Sequence, residues 1–146
     1  MTTNRLSPKM ISDGDAEKAS YAYLISTVIL MVGMPFPLLN MIATFFFYLA
    51  NRKRNYFVRF HSLQSLLSQV LIVVLNSTTI VWTFSILLQN TEASNYYFGF
   101  LFTAIFFNIL EFVVSLYATI QTRKKRDIRY FVFGPLTELL CKPEVR

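Results

Sequence analysis

Three long apolar blocks restrict the folds open to this chain, and they cover residues 21–50, roughly 66–88 and roughly 98–120. The second and third contain about 23 residues each, close to the roughly 20 that an α-helix needs to cross about 30 Å of hydrocarbon. Only 15% of the residues are charged, whereas a soluble domain has about 25%. The sequence therefore predicts an all-α integral membrane bundle.

The first block is interrupted in its middle by Gly33, Pro35 and Pro37. A proline lacks the backbone N–H donor and disfavours helical geometry at the residue before it. The block is therefore either one kinked crossing or a hairpin of two short helices. The hairpin, which gives four hydrophobic segments in total, is favoured over a three-span arrangement.

Basic residues flank the second and third blocks on the same side. They are Arg52, Lys53 and Arg54 before the second block, and Arg123, Lys124, Lys125 and Arg126 after the third. The loop between the two blocks contains no lysine or arginine and carries Glu92. The positive-inside rule therefore predicts that both clusters are cytoplasmic, or stromal in a plastid. The four-segment arrangement then places both chain termini on that same side. The same cations could contact anionic lipid headgroups.

These boundaries predict a polar N-terminal tail over residues 1–20, a transmembrane helical domain over 21–122, and a basic and aromatic C-terminal tail over 123–146. The apolar part of the C-terminal tail is too short to span a bilayer, so we expect an interfacial segment there. The net charge of +6 is explained by membrane topology, and we expect no nucleic-acid partner.

The sequence offers little for catalysis or metal binding. It contains one histidine, His61, and one cysteine, Cys141. Zinc sites and catalytic triads need several such side chains close together. We therefore predict a non-enzymatic protein without a catalytic, cofactor-binding or metal site.

Polar residues recur at helical spacing in the second and third blocks and form an intramembrane stripe. Its central members are Asn76, Thr79, Asn108, Glu111 and Ser115. Asn76 and Glu111 lie near the centres of their blocks, so we expect them to approach each other. One interpretation is that the stripe joins helices through hydrogen bonds. The other is a hydrated path with Glu111 as its ionisable centre.

The start of the second block resembles a known signature, an aromatic-x-Arg-Phe-His/Asn-x-x-Gln pattern that opens a long helix. The matching residues are Phe57, Arg59, Phe60, His61 and Gln64. This pattern is similar to that of small four-helix membrane proteins, comprising the channel-like subunit of the plastid inner-envelope import translocon (TIC) and its bacterial relatives. The likeness covers about residues 21–138 in hydropathy and order of segments.

The resemblance implies a subunit of a membrane hetero-complex that serves protein translocation or secretion. The alternative is a small ion or solute transporter or channel that acts as a homo-oligomer through Asn76 and Glu111. The expected partners are other membrane proteins and the lipid bilayer. The expected location is a bacterial inner membrane, with the plastid inner envelope as the alternative.

Overall fold

The computed structural model describes residues 10–32 and 37–141, and these residues form five helices and no strand. The helices are α1 (Asp13–Val32), α2 (Pro37–Asn51), α3 (Tyr56–Gln89), α4 (Asn95–Arg123) and α5 (Phe133–Leu140). The all-α prediction is confirmed for this part of the chain.

Short polar side chains fix the ends of the two longest helices. The Asn55 side chain accepts a hydrogen bond from the Val58 backbone N–H at 3.1 Å, and Ser94 caps α4 by accepting from Tyr97 N–H at 3.3 Å. Such caps satisfy donors that the first helical turn leaves without a partner. Asn90 ends α3 in the left-handed conformation, with φ 49°, which asparagine tolerates better than most residues. A short loop therefore joins α3 to α4.

The first helix begins at Asp13, inside the predicted N-terminal tail and eight residues before the apolar block. Ser12 Oγ accepts a hydrogen bond from the Asp15 N–H at 3.1 Å, and Asp13 and Asp15 lie in the first turn. A serine cap and acidic residues at a helix N-terminus are both stabilising. The start of the apolar block therefore does not coincide with the start of α1, because the helix also includes the polar residues before it.

The first apolar block contains two separate helices, because α1 ends at Val32 and α2 begins at Pro37. A proline at the first helical position needs no intrahelical partner for its nitrogen. The predicted break at Gly33 and Pro35 lies outside the described residues.

The prediction of four hydrophobic segments is correct only in part, since α3 and α4 alone are long and apolar enough to cross a bilayer among the described helices. Acidic residues occupy the start of α1. The 15 residues of α2 extend about 22 Å, which is less than the thickness of the hydrocarbon. The α1–α2 hairpin is therefore a shorter unit that packs on α3 and α4.

Small side chains let α1 approach the long helices closely. Ala19 and Ala22 of α1 and Ala118 of α4 are completely buried. Ala118 packs in one cluster with Tyr23 of α1 and Tyr130, which follows α4. Small residues at helix contacts are typical of membrane bundles, where packing drives association.

The outer surface of the long helices is apolar. Val81, Phe84, Phe102 and Phe106 are all more than half exposed. So many exposed large apolar side chains are unfavourable in water but suit contact with lipid. Its exposure supports a membrane environment for α3 and α4.

We predict that Ala118→Leu weakens the contact between α1 and α4, because three added carbons meet Tyr23 and Tyr130 in a filled cluster. Overpacking of this kind typically costs about 1–3 kcal/mol. The expected result is a lower thermal unfolding midpoint in detergent, measured by circular dichroism. Leu116→Ala is the control, because Leu116 is exposed on the same helix. Equal midpoints for Ala118→Leu and wild type would contradict the packing described.

Candidate functional site

A row of buried polar contacts, here called the polar ladder, follows α3 from its start to its end. It has four levels, set by Tyr23, His61 and Gln64; by Ser68, Gln69 and Glu111; by Asn76 and Asn108; and by Thr83 and Tyr97. The partners of α3 run in the reverse order along α4, so the two helices are antiparallel. Both basic clusters therefore lie at the same end of the molecule, as predicted.

The first level joins α1, α3 and the segment after α4. Gln64 Nε2 donates to the Tyr23 hydroxyl at 2.8 Å and to the Ile128 carbonyl at 3.2 Å. The Tyr23 hydroxyl lies 2.9 Å from His61 Nδ1. The one Tyr23 hydroxyl thus contacts both Gln64 and His61, and it can accept a hydrogen bond and donate one at the same time.

His61 Nε2 faces the Asp127 carboxylate at 3.6 Å. The other oxygen of Asp127 accepts from Arg129 Nε at 3.1 Å and from Nη2 at 3.0 Å. Arg129 also forms an ion pair with Glu138 of α5 and stacks over the Phe60 ring at 5.3 Å. This arginine thus connects the segment after α4 to both α3 and α5.

Tyr130 completes the enclosure of the first level. Its backbone N–H donates to Gln64 Oε1 at 3.3 Å, and its ring lies 5.7 Å from that of Tyr23. Burial raises the pKa of the Tyr130 phenol well above its ordinary value, and the nearby Glu111 adds to the rise. The phenol therefore stays protonated at physiological pH.

Glu111 organises the second level. Its Oε1 accepts from Ser68 Oγ at 2.8 Å, from Gln69 Nε2 at 2.9 Å and from Ser115 Oγ at 3.0 Å. Gln69 also contacts Ser26 of α1 and Asn40 of α2 through its side-chain amide. One carboxylate and one amide thus bring together groups from four helices.

The third level differs from the sequence prediction that Asn76 approaches Glu111. Asn76 pairs reciprocally with Asn108, with amide hydrogen bonds of 3.0 and 2.7 Å. Glu111 lies almost one helical turn further along α4, where it meets Ser68 and Gln69. The pairing is set by the register between the two antiparallel helices. The position of a residue within its own helix does not determine that register.

The remaining members of the stripe contribute less to contacts between helices. Thr79 Oγ1 donates to the Leu75 carbonyl of its own helix at 2.9 Å. At the fourth level Thr83 Oγ1 lies 2.9 Å from the Tyr97 hydroxyl, and Trp82 packs edge-on against the Tyr97 ring. The hydrogen bonds of the ladder favour the interpretation that the stripe joins helices.

A cleft of about 400 Å³ opens beside the second level, between α3, α4 and residues 128–133. Its walls are mostly apolar, and Glu111, Arg129 and Tyr130 are among the residues that line it. In the part of the chain that the structure describes, no group of three or more histidine, cysteine, aspartate or glutamate side chains could hold a metal ion.

The residues of the helix-opening signature have a packing role. Phe57, Phe60, His61 and Gln64 are at most 2% exposed, and each faces another part of the protein. Arg59 Nε donates to Cys141 Sγ at 3.0 Å, which ties α3 to the end of α5. The signature therefore consists of residues that pack the start of α3 against the rest of the protein.

Several residues that belong to the ladder or contact it were not identified from the sequence. Tyr23, Ser26 and Asn40 lie in the first apolar block, and Asp127 and Tyr130 follow the last one. Ser26 lies three residues after Tyr23, so both share one side of α1. That spacing could have identified a polar side of α1 from the sequence. No neighbouring residues indicated a role for Asp127 or Tyr130.

We predict that Glu111→Gln is tolerated and that Glu111→Leu is not. The amide oxygen of glutamine can still accept from Ser68, Gln69 and Ser115. Leucine removes this shared acceptor, so Ser68 and Gln69 keep only their contacts to the Ser65 carbonyl and to Ser26. A buried unsatisfied donor costs about 1–3 kcal/mol. The unfolding midpoint in detergent should fall clearly for Glu111→Leu and by less than half as much for Glu111→Gln. Leu110→Ala, an exposed change on the same helix, is the control. The reverse ranking would contradict a structural role for Glu111.

We also predict slow labelling of Cys141 in the folded protein. The thiol is buried, and burial raises its pKa despite the opposing effect of Arg59. Both effects reduce the accessible thiolate, which is the reactive form. Maleimide labelling at pH 7.5, followed by mass spectrometry, should be slow in mild detergent, faster at higher pH and fast in dodecyl sulfate. Equal rates in the two detergents would refute the enclosure of Cys141.

Comparison with known proteins corrects the resemblance drawn from the sequence. The family model that matches is the magnetosome magnetite crystal formation protein family, MamF/MmsF, over residues 17–137. The assignment to the TIC translocon family is therefore wrong, as are the roles in protein translocation and secretion inferred from it. The alternative of an ion or solute transporter or channel gains no support from this match.

No curated protein and no solved structure matches the chain at a significant level. Because the match covers most of the sequence, the chain belongs to the MamF/MmsF family of magnetosome magnetite crystal formation proteins.

Proposed function

We propose that this protein is a non-enzymatic component of the magnetosome membrane that contributes to magnetite crystal formation. The observation that carries the proposal is the family match over residues 17–137, which includes the whole of α3 and α4. The exposed apolar surface of these two helices supports insertion into that membrane. The polar ladder serves in this proposal as the internal support of the helices.

The distribution of charge supports an orientation in the membrane. Arg52, Arg54 and the cations at 123–126 lie at one end of the molecule, and the loop between α3 and α4 lies at the other. By the positive-inside rule the cationic end is cytoplasmic and the loop faces the magnetosome interior. The ion pair of 2.7 Å between Asp13 and Lys125 supports a cytoplasmic position for the start of α1.

This orientation restricts how the protein could act on a crystal. Residues 90–94 lie between α3 and α4, are exposed, and carry Glu92 as their only charged residue. Carboxylate and amide oxygens are suitable ligands for hard cations. The protein thus acts on the mineral either through this loop or through other membrane proteins that contact its outer helical surfaces.

The test is deletion of the gene in a magnetite-forming host, followed by measurement of crystal length by electron microscopy. We expect smaller crystals in the deletion strain and recovery with the wild-type gene. Glu92→Gln should restore size only in part, because it removes the charge of the loop. Asp13→Asn should restore size fully, since it removes an exposed acid at the opposite end.

Unchanged crystals in the deletion strain would overturn the proposed function. Full recovery with Glu92→Gln would instead reject the loop and leave membrane partners as the route of action. Immunoblotting of purified magnetosomes provides the control that each variant reaches the membrane in equal amount.

A further inference from the structure

A second cavity lies at the cationic end, where the end of α2, the start of α3 and the end of α5 meet. Its volume is about 460 Å³. It is lined by Tyr48, Arg52, Lys53, Arg59, Leu139, Leu140 and Cys141. This cavity, here called the basic pocket, shares only Arg59 and Cys141 with the contacts described above and is separate from the polar ladder.

The polar lining of the basic pocket is strongly positive. Among the described residues that line it, three of seven are cations and none is an acid. Within the described residues, neither Arg52 nor Lys53 lies within 4 Å of a carboxylate. Arg59 is held in place at the pocket by its hydrogen bond to Cys141. Converging cations of this kind suit a phosphate group, which arginine can bind with two parallel hydrogen bonds.

The rest of the lining is apolar and open to the outside. Leu139 is 73% exposed and Leu140 is 60% exposed, although both belong to an eight-residue helix that packs on α3. Tyr48 of α2 also lines the pocket. A soluble anion gains nothing from exposed leucines beside its binding site. A phospholipid has the required combination, because its charged headgroup is attached directly to acyl chains.

We propose that the basic pocket binds one anionic phospholipid. Arg52 and Lys53 hold the headgroup phosphate, and the upper part of an acyl chain lies against Leu139 and Leu140. The α5 helix then lies in the plane of the interface, as short amphipathic segments do. This site is more specific than the general attraction of a cationic end for a membrane surface, and it does not depend on the proposed role in magnetite formation.

The experiment is native mass spectrometry of the full-length protein in detergent, with phosphatidylglycerol or phosphatidylcholine added at equal concentration. The wild type should retain one phosphatidylglycerol and little phosphatidylcholine. A cation near an anionic headgroup contributes about fivefold in affinity. The double variant Arg52→Gln/Lys53→Gln should therefore retain at least about fivefold less phosphatidylglycerol. The matched control is Arg123→Gln/Lys124→Gln, which removes the same charge from exposed residues at the same end and should retain the wild-type amount.

Each alternative outcome contradicts the proposal. Equal loss in both double variants would show diffuse electrostatic attraction, and no loss in either would show that the pocket does not bind the lipid. Displacement of the lipid by millimolar inorganic phosphate would identify a site for free anions. If the pocket variant fails to fold, Leu140→Glu decides the question. It places an acid at an exposed position of the rim and should lower retention of phosphatidylglycerol, and unchanged retention would overturn the proposal.

Discussion

The packing of the helices in this protein depends on one requirement. The polar side chains along α3 need hydrogen-bond partners where water is absent. Backbone and side-chain polar groups that face hydrocarbon are costly, so each must find a partner within the protein. The other elements supply many of these partners, although Ser62 Oγ is buried without one. The α1 helix brings the Tyr23 hydroxyl, α4 brings the Glu111 carboxylate, and the segment after α4 returns to place the Ile128 carbonyl on Gln64. The short hairpin and the C-terminal segment therefore complete the inside of the bundle.

The same requirement explains why the number of helices around α3 and the size of its buried polar side chains change along the molecule. Near the cationic end α3 is surrounded by α1, α2, α4 and α5, and long side chains such as His61 and Gln69 are fully buried there. In the half of the molecule that the α1–α2 hairpin does not cover, α3 and α4 contact mainly each other. Only compact pairings remain in that half, such as the reciprocal amides of Asn76 and Asn108 and the contact of Trp82 with Tyr97. Lipid or another protein must cover the rest.

Hydropathy and charge were sufficient for the helical class, for the two long helices and for the placement of both basic clusters at one end. These features depend on average composition over about 20 residues, which sequence patterns report well. The partner of Asn76 was not predictable in this way, because the register between two antiparallel helices is set by all their contacts together. Asp127 was missed for a related reason. Its proximity to His61 results from the return of the chain after Arg123, which no local pattern encodes.

The error in family assignment has a physical cause. Phe57, Phe60, His61 and Gln64 are conspicuous in the sequence because the start of α3 must be enclosed on several sides. Any protein that encloses a helix in this way can use similar residues, whatever it does in the cell. Residues that interact with the surroundings of the molecule are a better guide to its activity. Here these are the exposed loop around Glu92 and the basic pocket at the opposite end, which shares only Arg59 and Cys141 with the contacts that enclose α3.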